Sequence, residues 1–495
     1  MLLFTLDETS DEPVFRQIMD HIRRRIGEGV VVPGDALPST RALAESLGIH
    51  RSTVATAYQE LWSLGYVDLR PGAVPRVRSR VAVAPERRDA AGEFIDWASI
   101  ATPFASESRN SLERFRIDVL SQKQQDLISF CRLEVDKRLF PLDAFRTCLN
   151  RVLREQSNVL LGYGDAAGYA PLRASIAARL QMHGIRATER EILLTNGSQH
   201  AIDLVLRMIA RPGASVAIES PTYGELLPLV GMNGVRPIAI PFLSDGMDLD
   251  ALERVLEEDR PTLIYTMPNF QNPTGVSTSQ AHRERLLGLC ERTRTPLLED
   301  GFEEEMKYFG KVTLPIKSMD THGLVIYCGT FSKVLFPGVR IGWIAAPAEV
   351  VERLSALLRF SELSTGAILQ ATLHDFCERG YYDRHISHMH RVFRKRMQTM
   401  LKSLRANIPP ERATWTEPAG GYLVWMTLAP TGASQAEIMG AFRASGVAVV
   451  PGRYFFSSEQ RAVNIRLSIA TLDEREIEDG VRRLARALDV IYSGR

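Results

Sequence analysis

Residues 324–333 read LVIYCGTFSK, an apolar run from Leu324 to Tyr327 that passes through Thr330 and Ser332 into Lys333. A short apolar run ending in glycine and hydroxyl residues predicts a strand buried on both faces, with the lysine just beyond its carboxyl end. Working outward, Arg340 follows seven residues later in PGVRIGW. Upstream, PLLED (296–300) puts Asp300 at the end of a second run, and PNFQNPTG (268–275) puts Asn272 beyond a third, TLIYT. EILLT (191–195) leads through Asn196 and Gly197 into Ser198, Gln199 and a helical pattern, and SVAIE (215–219) leads into SPTY and Tyr223. Strand runs that alternate with helical patterns predict an α/β domain whose mostly parallel sheet is covered by helices on both faces, followed by a smaller C-terminal α+β domain. In such sheets ligands sit outside the carboxyl ends of the strands, where all these polar residues fall.

That set of side chains suits pyridoxal 5′-phosphate. A lysine amine condenses with its aldehyde, and a buried carboxylate, Asp300, keeps the ring nitrogen protonated. A helix N-terminus, hydroxyls and an arginine hold a phosphate dianion. Tyr223 is the candidate to cover one face of the ring.

The N-terminal 80 residues have a different character. Over the whole chain 60 basic side chains face 59 acidic ones, a balance that argues against a nucleic-acid partner. All ten basic residues of the first 80 are arginines, however, and four of the ten acids lie in the first twelve positions, so residues 13–80 carry an excess of four positive charges. Phe15, Ile18, Met19, Ile22 and Ile26 recur at helical spacing, and Ser39 is placed to cap a short helix with Leu43, Ala44 and Leu47 inside. Gly48-Ile49-His50 makes a tight turn into a third helix that buries Val54, Ala57, Tyr58 and Leu61. Two helices joined by a glycine-containing turn predict a helix-turn-helix, with a hairpin wing around Arg70-Pro71-Gly72. Ser39, Arg41, His50, Arg51, Ser52, Thr53 and Thr56 are its candidate DNA contacts, small hydroxyls and arginines suiting phosphates and base edges.

The rest of the composition is that of an ordinary globular chain: 45% hydrophobic, 24% charged, with no apolar run of membrane-spanning length. The opening MLLFTLDETSDEP lacks a basic leader region, so no signal peptide is expected. Five scattered cysteines form neither a disulfide framework nor a metal motif, so the expectation is a reduced, cytoplasmic protein with no metal site. The predicted divisions are residues 1–80 as the winged helix, 81–115 as a linker and 116–495 as the cofactor domain, with the small subdomain at about 350–495.

Residues 13–78, through PGDALPSTRALAESLGIHRSTVATAYQELWSLGYV, resemble the winged helix of GntR-type regulators. Residues from about 131 onward resemble fold-type I aminotransferases: GYGDAAGYAPLR, TNGSQ, SPTY, PNFQNPTG, LEDGFEEE, GTFSK, PGVRIGW and IRLSIA occur in that family's order. The resemblance implies that Lys333 carries the cofactor, Asp300 partners its ring nitrogen and Asn272 its O3′. It implies a phosphate cup of Ser198, Gln199, Thr330, Ser332 and Arg340, Tyr163 reaching the neighbouring subunit's phosphate, and Arg466 binding a substrate or effector carboxylate. Two departures stand out. His50 occupies a position where GntR proteins often have a capping serine, and Phe302 stands where aminotransferases of this type carry a tyrosine that donates to O3′.

Joined in one chain, the two halves resemble the MocR subfamily of GntR-type regulators. That resemblance implies a homodimer reading two half-sites on double-stranded DNA, and a pyridoxal-phosphate-dependent response to an amine, amino acid or B6 vitamer. An effector amine would displace Lys333, with Arg466 holding its carboxylate. The alternative is a working aminotransferase with a degenerate winged helix, and a cofactor-storage protein ranks last.

Overall fold

The three amphipathic patterns near the N-terminus fold as α1 (Val14–Gly27), α2 (Thr40–Leu47) and α3 (Arg51–Ser63). These belong to a computed structural model that describes residues 12–78, 96–102, 126–310 and 313–493, with a few single positions between. The chain forms two units, residues 1–100 and 101–495. Most of the predicted 81–115 linker lies outside the described residues.

In the first unit Ile18, Ile22 and Ile26 of α1 meet Leu43 and Ala44 of α2 and Val54, Ala57, Tyr58 and Leu61 of α3 in one buried cluster. The α2 C-terminus is closed by Gly48 in the left-handed region, φ 68°, which a residue with a Cβ rarely adopts. Buried Tyr58 donates its hydroxyl to the Pro38 carbonyl at 2.8 Å, tying the recognition helix to the entry of α2. The wing is a minimal antiparallel hairpin, β1 (Val67–Asp68) on β2 (Arg76–Val77).

The second unit is built on an eight-stranded sheet in the order β4-β11-β10-β9-β8-β5-β6-β7. Its parallel centre is β10 (Val325–Thr330), β9 (Leu297–Asp300), β8 (Leu263–Thr266), β5 (Ser215–Ser220) and β6 (Arg236–Leu243). β11 (Gly342–Ala345) runs antiparallel between β10 and β4 (Ile192–Thr195), so β4 points the same way as the centre. β7 (Gly246–Met247) closes the far edge. Alternate residues serve opposite faces: Leu298 and Ile326 enter one apolar cluster while Leu297 and Val325 enter another. That alternation is why the sheet is covered on both sides and its strands read as continuous apolar runs.

β6, RPIAIPFL, is absent from the runs read as strands, because Pro237 and Pro241 argue against a central strand. Its position next to the two-residue edge strand explains the tolerance. The small domain has the sheet β12 (Ala413–Trp415), β13 (Leu423–Leu428), β16 (Asn464–Ser468) and β15 (Val450–Pro451). It also recruits β3 (Ile128–Ser129), which pairs in parallel with β14 (Val447–Ala448), so this domain reaches beyond the predicted 350–495 span. Among the described residues no helix is long and apolar enough to cross a membrane.

Candidate functional site

In the winged helix, Ser39 accepts from the Ala42 N–H at 3.1 Å and caps α2. His50 caps α3 in the place of a serine: its Nδ1 accepts from the Ser52 N–H at 3.3 Å and lies 2.6 Å from Ser52 Oγ. A ring nitrogen with a lone pair satisfies an orphan helix donor as a hydroxyl oxygen does. Arg51 Nε donates to Thr40 Oγ1 at 3.3 Å, linking the first turns of α2 and α3. Arg41, His50, Arg51, Ser52 and Thr56 are exposed, whereas Ser39 and Thr53 are half-buried. Among the described residues neither Arg41 nor Arg51 has an acidic partner, while Arg78 is bound to Asp68 at 2.6 Å and Arg76 to the Gly34 carbonyl at 2.7 Å. Arg41 and Arg51 thus leave positive charge uncompensated at the start of α2 and α3.

In the large domain the carboxyl ends of β4, β5, β8, β9 and β10 gather the predicted residues. Asp300 ends β9, fully buried; Tyr265 on β8 donates its hydroxyl to Oδ2 at 2.8 Å, and Oδ1 has no hydrogen-bond partner among the described residues. Burial pushes its carboxyl up to about 6, with the Tyr265 hydrogen bond acting the other way. A cationic partner at Oδ1 would return it to the ionised form.

Lys333 Nζ donates to the Leu133 carbonyl at 2.9 Å, and Tyr422 donates its hydroxyl to the Lys333 carbonyl at 2.6 Å. Asn272 accepts at Oδ1 from Arg466 Nη1, 3.2 Å away. Its loop is clamped from behind by buried Arg283, which donates to the Pro268 carbonyl at 2.8 Å and to Asn269 Oδ1 at 2.6 Å. Gln271 adds bonds to Glu219 and to the Pro221 carbonyl.

The anion cup forms where β4 enters the Ser198–Ile209 helix. Gly197 has φ 89°, and a Cβ there would lie 3.0 Å from Arg340 Nη2, so the guanidinium lies directly on the glycine. Arg340 Nη2 donates to the Asn196 carbonyl at 2.5 Å. Ser332 Oγ and Gln199 Oε1 are buried without partners. Thr330 is committed differently: its hydroxyl donates to the Ile341 carbonyl at 3.2 Å and accepts from the Ser332 N–H at 3.1 Å, bracing the cup. Tyr223 is half-buried beyond β5. Tyr163 is apart from the others, 81% exposed on its own chain.

Arg466, on β16 of the small domain, is 8% exposed. It donates to Asn272 and to the Cys131 carbonyl at 2.8 Å, faces the Phe455 ring at 5.1 Å, and leaves Nε unpartnered. Burial pulls this guanidinium down to about 10. Buried polar atoms normally find partners. Among the described residues the unpartnered Asp300 Oδ1, Ser332 Oγ and Arg466 Nε suit a protonated ring nitrogen, a phosphate and a carboxylate in turn, so the residues present fit pyridoxal phosphate with an amino acid.

Phe302 is 4% exposed and packs in the apolar cluster with Met267, Ile326 and Cys328. Sequence reasoning missed Tyr265, Tyr422 and Arg283, as well as the Leu133 and Cys131 carbonyls. Tyr265 alone carried a signal, since it lies in the strand next to PLLED.

A pyridoxal-phosphate-binding domain of the aminotransferase fold, preceded by a winged helix, is the class these features define. The chain belongs to the family of class I and II aminotransferases, matched over residues 132–484, and residues 15–77 match the GntR family of bacterial regulatory proteins. It is similar to the HTH-type transcriptional regulator TauR of Rhodobacter capsulatus, 30% identical over 95% of this chain and 96% of that one. The probable rhizopine catabolism regulatory protein MocR of Rhizobium meliloti is 28% identical over 99% and 97%. The solved structure of the α-aminoadipate aminotransferase LysN from Thermus thermophilus, in complex with N-(5′-phosphopyridoxyl)-L-leucine, covers 81% of this chain with a TM-score of 0.74 and 33% identity. The protein is therefore a MocR-type regulator, a GntR winged helix fused to an aminotransferase-like domain with pyridoxal phosphate as its cofactor.

Proposed function

We propose that the chain acts in the cytoplasm as a homodimer that binds an operator of two half-sites, and that an amine, amino acid or B6 vitamer sets its DNA affinity. The observation that carries this reading is Arg466, a buried guanidinium near Lys333 with an unpartnered Nε and no carboxylate bound to it among the described residues. Such a group is built to receive a carboxylate in charge-assisted hydrogen bonds. The dimer is supported by Tyr163, which is 81% exposed on its own chain although the aminotransferase resemblance gives it a role at a phosphate. Across the dimer interface Tyr163 would reach the neighbour's phosphate.

Pyridoxal phosphate supplies an aldehyde with which amines condense and a ring that withdraws electrons. Around it, Asp300 would hold a proton at the ring nitrogen, Ser198, Gln199, Ser332 and Arg340 would hold the phosphate, and Asn272 would serve O3′. Lys333 offers its amine, and Arg466 orients an incoming carboxylate. Because Arg466 belongs to the small domain, effector binding shifts that domain and biases how the winged helices are presented, a coupling of typically about 1–3 kcal/mol.

The test is a footprint on the DNA upstream of the protein's own gene, with and without pyridoxal phosphate and candidate amines. Protection of paired half-sites that changes with the effector supports regulation. Multiple-turnover keto-acid production with no sequence-specific footprint would support the enzyme reading instead. At the DNA surface, Arg51→Ala is expected to weaken operator binding by about 1–3 kcal/mol, roughly five- to 150-fold in Kd. Titration at fixed salt measures it, and unchanged affinity removes Arg51 from the contact surface.

A further inference from the structure

The anion cup rests on a helix start with no side-chain cap. Gly197, just before the Ser198–Ile209 helix, has φ 89° and ψ 172° and no side chain to bond the first helical N–H groups. Uncapped donors suit a phosphate, but an uncapped start also frays readily. Other groups must therefore hold Asn196 and Gly197 in place against Arg340. Three side chains outside the cup supply the contacts. His200, the third residue of the helix, reaches back so that its Nδ1 accepts from the Asn196 N–H at 3.1 Å. That is one residue further back than the reach of the third residue in a capping box. A backbone N–H can only donate, so Nδ1 is the bare nitrogen, and the imidazole is neutral with its hydrogen on Nε2.

His200 Nε2 lies 3.3 Å from Glu362 Oε1. Asn196 donates from Nδ2 to the other oxygen of the same carboxylate, Oε2, while its carbonyl takes the Arg340 Nη2 hydrogen at 2.5 Å. Asn196, His200 and Glu362 thus close a ring of contacts, and Arg340 is bonded to one corner of it. The far corner breaks two local rules. Glu362 is the last residue of the Ala348–Glu362 helix, where the helix dipole disfavours an anion. Leu363 follows with φ 65°, a region that residues with a Cβ rarely adopt. Local rules broken together point to a functional constraint. The compensation for Glu362 lies 166 residues away, at Asn196.

We propose that His200 and Glu362 are positioning residues for the phosphate cup: they clamp Asn196 so that the uncapped helix start and Arg340 stay aligned for a phosphate. Both act through Asn196 and neither as a ligand. His200 fixes the backbone of Asn196 and Glu362 its side chain, which leaves the Asn196 carbonyl turned to Arg340. The proposal rests on the reading of Arg340 and Ser198 as the phosphate site.

The test compares pyridoxal phosphate with pyridoxal, which offers the same aldehyde and no phosphate. Each is titrated into the full-length protein and followed by the absorbance of the lysine-bound form. Glu362→Ala and His200→Ala should each raise the Kd for pyridoxal phosphate about tenfold, the loss of one hydrogen bond to a charged or positioned group, and leave that for pyridoxal within about twofold. Equal losses for both compounds, or no loss for either, would overturn the proposal. Two further variants separate the clamp from bulk. In His200→Asn the amide oxygen takes the place of Nδ1 and keeps the Asn196 bond, so most of the preference for pyridoxal phosphate should return. His200→Gln extends toward Glu362 without that acceptor and should recover less.

Recovery in His200→Asn no greater than in His200→Gln would overturn the role of Nδ1 and the clamp with it. Arg340→Ala tests the cup separately, and should cut the preference for the phosphorylated compound further than either alanine variant of the clamp. A preference that survived Arg340→Ala would refute the reading of the cup. A preference lost in Arg340→Ala but intact in Glu362→Ala and His200→Ala would refute the clamp alone.

Discussion

Lys333→Ala yields a folded protein that has lost the long-wavelength absorbance of lysine-bound pyridoxal phosphate and no longer answers the effector. The loss is total because a methyl group cannot condense with an aldehyde, and no other described lysine is placed at the carboxyl ends of the central strands. The fold is expected to survive. The Lys333 side chain makes one hydrogen bond, to the Leu133 carbonyl, and the 2.6 Å bond from Tyr422 reaches the backbone carbonyl, which alanine keeps. Losing a hydrogen bond from a charged donor costs about 1.5–3 kcal/mol. Removing a half-buried cation that faces Arg466 and Arg340 offsets part of that. The net change in unfolding free energy should stay within about 2 kcal/mol, measured by urea titration. DNA affinity without effector should be unchanged. A Lys333→Ala protein that still responded normally to the effector would sink the sensing mechanism.

Arg466→Ala should produce the second large effect, on effector affinity and not on cofactor attachment. Truncating one partner of a buried, hydrogen-bonded charge pair costs about 2–5 kcal/mol, roughly a thirty- to several-thousand-fold rise in Kd. Arg466→Lys should rescue little, because a point charge cannot reproduce the planar fork that reaches Asn272, the Cys131 carbonyl and a ligand together. Titration followed by the cofactor absorbance supplies the measurement, and an amine without a carboxylate supplies the control. If both ligands weaken equally, Arg466 organises the Asn272 loop and does not bind a carboxylate.

Much of this protein was legible in its residues, and the legible parts share a cause. The winged helix follows from spacing within some fifty residues: Ile18, Ile22 and Ile26 on one stripe, Ser39 before a helix, Gly48 after it. The strand ends follow from apolar runs bounded by glycine and polar residues, which is how Asp300, Asn272, Ser198 and Lys333 could be placed at one edge. His50 is an instructive departure. Its position before α3 showed in the sequence, but that its ring nitrogen does the capping needed coordinates. β6 was missed because Pro237 and Pro241 describe an interior strand poorly and an edge-proximal one well.

What the sequence determined by itself was the pair of modules, the parallel sheet and the strand-end residues, since helix periodicity, capping and strand burial are local properties that a few neighbouring side chains declare. What the tertiary structure alone decided was direction and depth. Between Asp300 and Met306 the chain is neither helix nor strand, so it has no period to say which side chain faces the cavity. Packing put Phe302 into the apolar cluster and Glu303 against Gly421. The same holds for Arg466, whose burial against Asn272 and Cys131 joins segments 194 and 335 residues apart. Contacts of that range are set by how the small domain closes on the large one's strand ends, and no local pattern encodes them.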